Sequence, residues 1–364
     1  MRDKISPLKP ELMKKHNFSA GPCILPQSVL KQASEAVENF NGLDLSLIEI
    51  SHRSADFVAV MEKARKLVLE LMNLEGKGYS VLFLQGGASL EFLMVPYNLM
   101  SIGGKAAYLD TGTWSSKAIK EASLLGEVEI MASSKDANYS YIPKGYDVPA
   151  GIDYVHCTSN NTIFGTQMKE FPKTEAPLVC DMSSDIFSRE LDFSRFDLIY
   201  AGAQKNMGPA GTTLVVVKDE ILGKTGRKIP SMLDYKVHIS KDSMYNTPSV
   251  FAVYVSMLTL DWLKSLGGIK EIEKRNVEKA QLLYNEIDRN PLFRGAAATE
   301  DRSDMNVTFL LTDDSRKQEF DALCKAKGIN GINGHRSVGG YRASIYNAMP
   351  IESVAVLVDI MKSL

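Results

Sequence analysis

The chain has 364 residues, 45% apolar and 24% charged, with 42 basic residues against 44 acidic ones and a net charge of −2. That length allows one large core with a smaller partner, and a near-neutral balance without a long basic run speaks against a nucleic-acid partner. No window approaches the roughly 18 uninterrupted apolar residues of a membrane span, and the charged, proline-containing start MRDKISPLKPELMKKHNF reads as that of a cytoplasmic chain without an export signal.

Between about residues 17 and 255, apolar runs of strand length alternate with helical patterns, as in a mostly parallel sheet with helices on both faces. The predicted strands are Tyr79 to Gln85, Ala106 to Asp110, Val128 to Ala132, Tyr154 to Thr158, Leu178 to Met182, Leu198 to Ala201 and Thr212 to Val217. Several are apolar throughout, as doubly covered strands are. The clearest helix is Ala55 to Met72, where Phe57, Val60, Met61, Ala64, Leu67, Val68 and Leu71 recur on one face. Two further helices, Val250 to Leu266 and Ile269 to Ile287, flank Gly267-Gly268. Beyond them, strands at Met305 to Leu311 and Gly340 to Ile345 alternate with helices at Ser315 to Lys327 and Ile351 to Ser363, a second, α+β layer that the N-terminus can join. The expected architecture is α/β: a large domain at 17–258 with a mostly parallel seven-stranded sheet, and a smaller α+β domain made of 1–16 and 259–364. The cysteines Cys23, Cys157, Cys180 and Cys324 form no CxxC or Cys/His cluster, so reduced, mostly buried thiols are expected and no metal site.

Lys205, in Ala203-Gln204-Lys205-Asn206 after a predicted strand, stands at the carboxyl edge of the sheet, where open α/β folds bind ligands. A lone lysine is most often a solvated surface group. Small, nearly uncharged neighbours favour a desolvated amine with a lowered pKa, nucleophilic toward a carbonyl and suited to a Schiff base with pyridoxal phosphate. Asp181, at the end of another strand, could pair with a pyridinium nitrogen and keep the ring an electron sink. Taken alone it reads equally well as a helix cap. Gln85-Gly86-Gly87-Ala88-Ser89 is a glycine turn before a helix, able to aim backbone N–H groups and the Ser89 hydroxyl at a phosphate. It is no Walker loop, because no GK[ST] follows. Trp114 offers a ring face for stacking, or an ordinary core side chain.

Six blocks in order, NFSAGPCILP, EISHRS, DTGTWSSKAIKEA, GAQKNMGPAG, MYNTPSVF and GHRSVGGYRASIYNAMP, resemble the phosphoserine aminotransferase family of class-V, fold-type I pyridoxal-phosphate enzymes. The resemblance runs from about Asn17 to Ile360 and implies a homodimer with active sites at the interface. It assigns Lys205 to the Schiff base, Asp181 to the pyridine nitrogen, Trp114 to ring stacking and Thr162 to the cofactor's phenolic oxygen. Ala88, Ser89 and Gln204 would contact the cofactor phosphate, with Asn246 and Thr247 from the other subunit. Arg342 would grip the substrate α-carboxylate. His335-Arg336, and His52-Arg53 from the neighbouring subunit, would receive the distal phosphate or the glutamate side chain. The implied reaction moves an amino group between L-glutamate and 3-phosphohydroxypyruvate in serine biosynthesis, and some relatives also aminate a four-carbon phosphorylated keto acid on the pyridoxine route. One departure is GGASLEF where some members carry GGGRGQF, which leaves substrate-phosphate binding to the His-Arg pairs. Rival readings are another fold-type I enzyme, such as a cysteine desulfurase or an alanine-glyoxylate aminotransferase, and a non-catalytic ligand-sensing dimer. The desulfurase reading needs a mobile cysteine, whereas Cys324 sits in a predicted helix.

Overall fold

Seven runs rich in β-branched, aromatic and small apolar residues pair into one sheet in the computed structural model, which describes residues 15–364. In chain order they are β1 (Tyr79–Leu84), β2 (Lys105–Asp110), β3 (Glu127–Ser133), β4 (Tyr154–Thr158), β5 (Leu178–Asp181), β6 (Leu198–Gly202) and β7 (Thr213–Lys218). Their spatial order is β1-β7-β6-β5-β4-β2-β3, and all pairings are parallel except those of β7, which runs antiparallel to both β1 and β6. The helices are α1 (Gln27–Glu38), α2 (Ala55–Leu71), α3 (Gly87–Leu99), α4 (Thr113–Ala122), α5 (Tyr235–Ile239), α6 (Val250–Ser265), α7 (Gly268–Arg289), α8 (Lys317–Ala326) and α9 (Ile351–Ser363).

Because strand side chains alternate across the pleat, the sheet divides two cores. On one face Cys157, Cys180, Ile199, Leu214 and Val216 meet α1, α2 and α6. The apolar stripe of α2 lies here: Phe57, Val60, Met61, Ala64, Leu67 and Val68 are all buried. Each large side chain among them contributes roughly 1.5–3 kcal/mol by leaving water. On the other face Tyr108, Tyr154, Val179, Tyr200 and Val215 meet α3, α4 and α5. A third core lies around β8 (Phe293–Gly295), β9 (Asn306–Leu311) and β10 (Tyr341–Ser344), an antiparallel sheet covered by α7, α8 and α9. Its centre is aromatic, with the Phe320 and Tyr341 rings 4.7 Å apart.

The first described strand, His16–Asn17, pairs in parallel with Ile329–Asn330, so the N-terminal segment does reach the second layer from residue 16. Residues 1–14, expected in the smaller domain, lie outside the described residues. The expected boundary at residue 258 falls inside α6, which is continuous to Ser265 and buries Leu260 and Leu263 in the same core as Val253. Among the described residues no single helix is long and apolar enough to cross a membrane, and no cluster of His, Cys, Asp or Glu could hold a metal ion. All four cysteines are free, with Cys23 partly exposed and the others buried. Cys324 is buried in α8 and desolvation pushes its thiol up to about 12, opposite to what a nucleophilic cysteine needs.

From α3 itself projects a fully buried carboxyl group. Glu91 accepts a 2.5 Å hydrogen bond from the Tyr235 hydroxyl, and its other oxygen has no partner. Desolvation raises its pKa to about 8. The unfolded chain loses this proton near pH 4.3, whereas the folded protein keeps it to about pH 8. Between those values the unfolded state binds fewer protons, so this group makes stability fall as pH rises. Glu91→Gln keeps an acceptor for Tyr235 and removes the titration. Its melting temperature should match the parent near pH 5 and exceed it near pH 8, as thermal unfolding at the two pH values will show; a gap of the same sign and size at both would contradict a protonated Glu91.

Candidate active site

The carboxyl ends of β1, β2, β5 and β6 converge on one crevice, and each delivers a predicted residue. After β1, Gly86 and Gly87 take φ values of 103° and 68°. A Cβ on Gly86 would lie 2.5 Å from Leu90 Cδ2, so only glycine fits. This turn starts α3 abruptly and leaves its first N–H groups, with Ala88 and Ser89, facing the crevice. After β2, Ser115 Oγ accepts from the backbone N–H groups of Thr111 and Gly112 at 2.9 Å each, while Asp110 accepts from Ser116 Oγ at 2.7 Å. Those bonds pin the start of α4 and thereby Trp114.

Asp181 ends β5 and is buried. One of its oxygens accepts from the Ser183 N–H at 2.9 Å, and Ser183 Oγ accepts from the Gly202 N–H at 3.1 Å, tying the end of β5 to the end of β6. Desolvation raises the Asp181 pKa, opposed by the Ser183 hydrogen bonds and by Lys205. Lys205 follows β6 by three positions. Its Nζ donates to Thr162 Oγ1 at 2.7 Å and lies 5.8 Å from the Trp114 ring centre. Burial lowers its pKa to about 8 against the opposing pull of Asp181, and the nearby Arg342 lowers it further. A sizeable fraction of the amine is therefore neutral near pH 8, the form that attacks a carbonyl.

Thr162 also faces the second layer. Its carbonyl accepts from Arg342 Nη1 at 3.4 Å, whereas Arg342 Nε is buried without a partner. Arg342 projects from β10 into the crevice with donor capacity to spare, as carboxylate binding requires. His335 and Arg336 lie on the loop before β10, closed by the Gly334 N–H to Gly340 carbonyl bond at 2.9 Å. Burial, then Arg342 and Arg336, lower the His335 pKa.

These elements enclose a cavity of about 570 Å³. Ala88, Ser89, Trp114, Thr162, Asp181, Gln204, Lys205, His335, Arg336 and Arg342 all line it. Asp181 is the one carboxylate among the lining residues, against four lysines and arginines. His52, Arg53, Asn246 and Thr247 do not line it. His52 and exposed Arg53 precede α2, whose start is capped by Ser54. Thr247 accepts from Gln85 Nε2 through its carbonyl at 2.5 Å, and Asn246 lines a neighbouring cleft with Gln85 and Gly86.

Lys117 was not singled out from the sequence. It lines the cavity one helical turn after Trp114, its Nζ 4.7 Å from that ring's centre, and it makes no ion pair among the described residues. Its i+3 spacing from Trp114 within DTGTWSSKAIKEA was the available signal. Gly21 of NFSAGPC also lines the cavity, and a Cβ there would press within 3.3 Å of Lys205 Cγ.

The donor set fits pyridoxal phosphate. A neutral-leaning amine answers its carbonyl, a buried carboxylate its ring nitrogen, a glycine-led helix start its phosphate and an indole its ring face. The Trp114 Nε1 is moreover buried without a partner, a donor left for something in the crevice.

Comparison with known proteins agrees. The Aminotransferase class-V family matches residues 15–357. The chain is 73% identical over 352 residues to the phosphoserine aminotransferase of Flavobacterium johnsoniae, covering 97% of this chain and 99% of that one. Among solved structures, the phosphoserine aminotransferase of Bacillus circulans subsp. alkalophilus superposes with a TM-score of 0.93 at 42% identity, covering 96% of this chain and 98% of that one. A PLP-bound phosphoserine aminotransferase from Trichomonas vaginalis gives a TM-score of 0.90 at 33% identity, covering 96% of this chain and 100% of that one. The chain belongs to the class-V aminotransferase family and, within it, to the phosphoserine aminotransferases.

Proposed function

We propose that this crevice holds pyridoxal phosphate on Lys205 and transfers an amino group between L-glutamate and 3-phosphohydroxypyruvate, giving 2-oxoglutarate and O-phospho-L-serine. The observation that carries this reading is the pairing of a buried, pKa-lowered Lys205 with Arg342 across Thr162, at distances of 2.7 and 3.4 Å. It sets an amine that can act at Cα beside a guanidinium that can hold the neighbouring carboxylate. When bound, the cofactor supplies an electron sink for charge at Cα. The protein's own contributions are positional and electrostatic. Lys205 Nζ carries the proton to and from Cα, and Asp181 keeps a proton on the ring nitrogen. Trp114 covers the ring, Thr162 orients the phenolic oxygen, and Ala88, Ser89 and Gln204 hold the phosphate. Arg342 orients the α-carboxylate, while His335 and Arg336 receive the distal anion.

We assign His52, Arg53, Asn246 and Thr247 to the cavity of a second copy in a homodimer. Support comes from their absence from this cavity and from apolar side chains exposed nearby in sequence: Leu45 and Ile48 before His52, and Tyr245 and Phe251 around Asn246. We place the division between the two structural units at Gly267-Gly268 rather than at residue 258, because α6 belongs to the large core. A cytoplasmic setting suits a small-molecule biosynthetic enzyme of this kind.

Glutamate should bleach the visible absorption of the bound cofactor and 3-phosphohydroxypyruvate should restore it; silence toward both would end the aminotransferase reading. Comparing steady-state rates with the four-carbon phosphorylated keto acid measures any share in pyridoxine synthesis. Arg336→Ala should weaken kcat/KM for the phosphorylated acceptor about tenfold to a hundredfold more than for an unphosphorylated keto acid, since a charged hydrogen bond to the distal anion is lost. An equal loss for both would remove Arg336 from the phosphate site.

A further inference from the structure

Two asparagines within the signature blocks stand outside the cavity yet touch each other. Asn206 follows Lys205 directly, and Asn347 lies five positions beyond Arg342. The Asn347 backbone N–H donates to Asn206 Oδ1 at 3.0 Å. Its side-chain Nδ2 donates to the Phe187 carbonyl at 3.0 Å, and its Oδ1 accepts from Asn276 Nδ2 of α7 at 2.8 Å. Asn276 Nδ2 also donates to the Ser188 carbonyl at 2.9 Å. All three asparagines are buried.

The turn they hold is strained. Phe187 is buried at a φ of 57°, a left-handed conformation that a bulky side chain keeps only where its surroundings over-determine it. That turn is the continuation of the segment leaving Asp181. One residue, Asn347, thus touches the chain leaving Asp181 through Phe187 and the chain leaving Lys205 through Asn206, while itself sitting on the chain leaving Arg342. The stretch between Arg342 and Asn347 has little slack. The Ser344 N–H donates to the Phe18 carbonyl at 3.2 Å and the Ile345 N–H to the Met305 carbonyl at 2.9 Å. Buried Lys279 donates to the carbonyls of Ile345 and Tyr346 at 2.9 and 2.7 Å.

We propose that Asn347, seated on Asn206 and Asn276, is a positioning residue that fixes the spacing between the Lys205 amine and the Arg342 guanidinium. The inference rests on the roles proposed above for those two groups. Both substrates react at Cα and carry an α-carboxylate, so this one spacing serves both half-reactions. The distal anion is received by the separately closed His335–Arg336 loop, so discrimination in favour of a phosphorylated acceptor does not depend on Asn347.

The test uses the holoenzyme and expresses rates per bound cofactor. Asn347→Ala should lose on the order of a hundredfold in kcat/KM toward L-glutamate and toward 3-phosphohydroxypyruvate alike, the cost of a small misplacement of reacting groups. Its cofactor content and its preference for phosphorylated over unphosphorylated keto acid should match the parent. Asn276→Ala, which alters neither signature block, should show the same paired loss at about a tenth of that size, and it carries the test if Asn347→Ala does not fold. A lowered melting temperature with unchanged kcat/KM per cofactor would mean a purely structural role and overturn the proposal. So would a loss confined to one substrate. A parent enzyme without transamination would instead refute the functional reading itself, before any variant is compared.

Discussion

Lys205→Ala should lower transamination on the order of 10⁴-fold, the upper range for removing a positioned general base. The proposed role has two parts, and the variant loses both. Its Nζ is the only amine hydrogen-bonded to Thr162 among the described residues, and burial has already lowered its pKa to about 8. Without it no amine stands beside Thr162 to take the proton from substrate Cα. Borohydride reduction followed by peptide mass spectrometry should find the cofactor fixed to the Lys205 peptide in the parent and to none in the variant. The rate at which cofactor-free parent captures pyridoxal phosphate should climb as pH rises through about 8, because deprotonation of this buried amine frees its lone pair. Cofactor captured on a different lysine, or a variant retaining most of its activity, would show that the wrong amine has been chosen.

Asp181→Asn should lower kcat by about 10³-fold, at the large end of what one preorganised polar group supplies in a water-poor site, while leaving the cofactor attached. The carboxylate is buried with one oxygen occupied by the Ser183 N–H at 2.9 Å. An amide of the same shape keeps that geometry but loses the charge that holds a proton on a ring nitrogen. With attachment assigned by the proposal to Lys205 and the glycine turn, cofactor content should stay near the parent's. Absorbance and turnover measured on the same sample separate the two effects. A variant that loses cofactor and activity in proportion would assign Asp181 to binding rather than to tuning the ring.

Much of this was readable from residue pattern. Tyr154 to Thr158 and Ile351 to Ser363 have the expected limits, and the other strands of the large sheet shift by a residue at one or both ends. The reason is physical: the covered strands are apolar along most of their length, the exposed edge strand β3 alternates Val128 and Ile130 with Glu127 and Glu129, and the α2 stripe repeats at helical spacing. The direction of β7 was not readable, because an apolar run bears no mark of which way it crosses the sheet. The short strand Phe293–Gly295 was also missed, having a single large apolar side chain to announce it. At the site, Lys205, Asp181 and Trp114 stand at strand ends or a helix start, and their combination and the signature blocks around them, not any one residue, mark them as candidates. Lys117 is one lysine among many until the helix places it over Trp114. Asn347 is harder still, because its partners Phe187, Asn206 and Asn276 are scattered along the chain and only the fold brings them together.

The place of β7 between β1 and β6 also dictates when the site can exist during synthesis. β1 sits at the edge of the sheet with β7 as its sole neighbouring strand, yet Leu84 pairs with Thr213. At the usual pace of about 5–20 residues per second, the ribosome takes roughly ten seconds to bridge that interval. Until then the phosphate turn after β1 has no strand beside it. The nascent chain can add β6 to β5 and carry Lys205 into place, but a cofactor arriving then would find its amine without its anion cradle. Loading is thereby deferred until β7, past the midpoint of the 364 residues, has been made, and a chain truncated before residue 213 should not retain the vitamin-derived group.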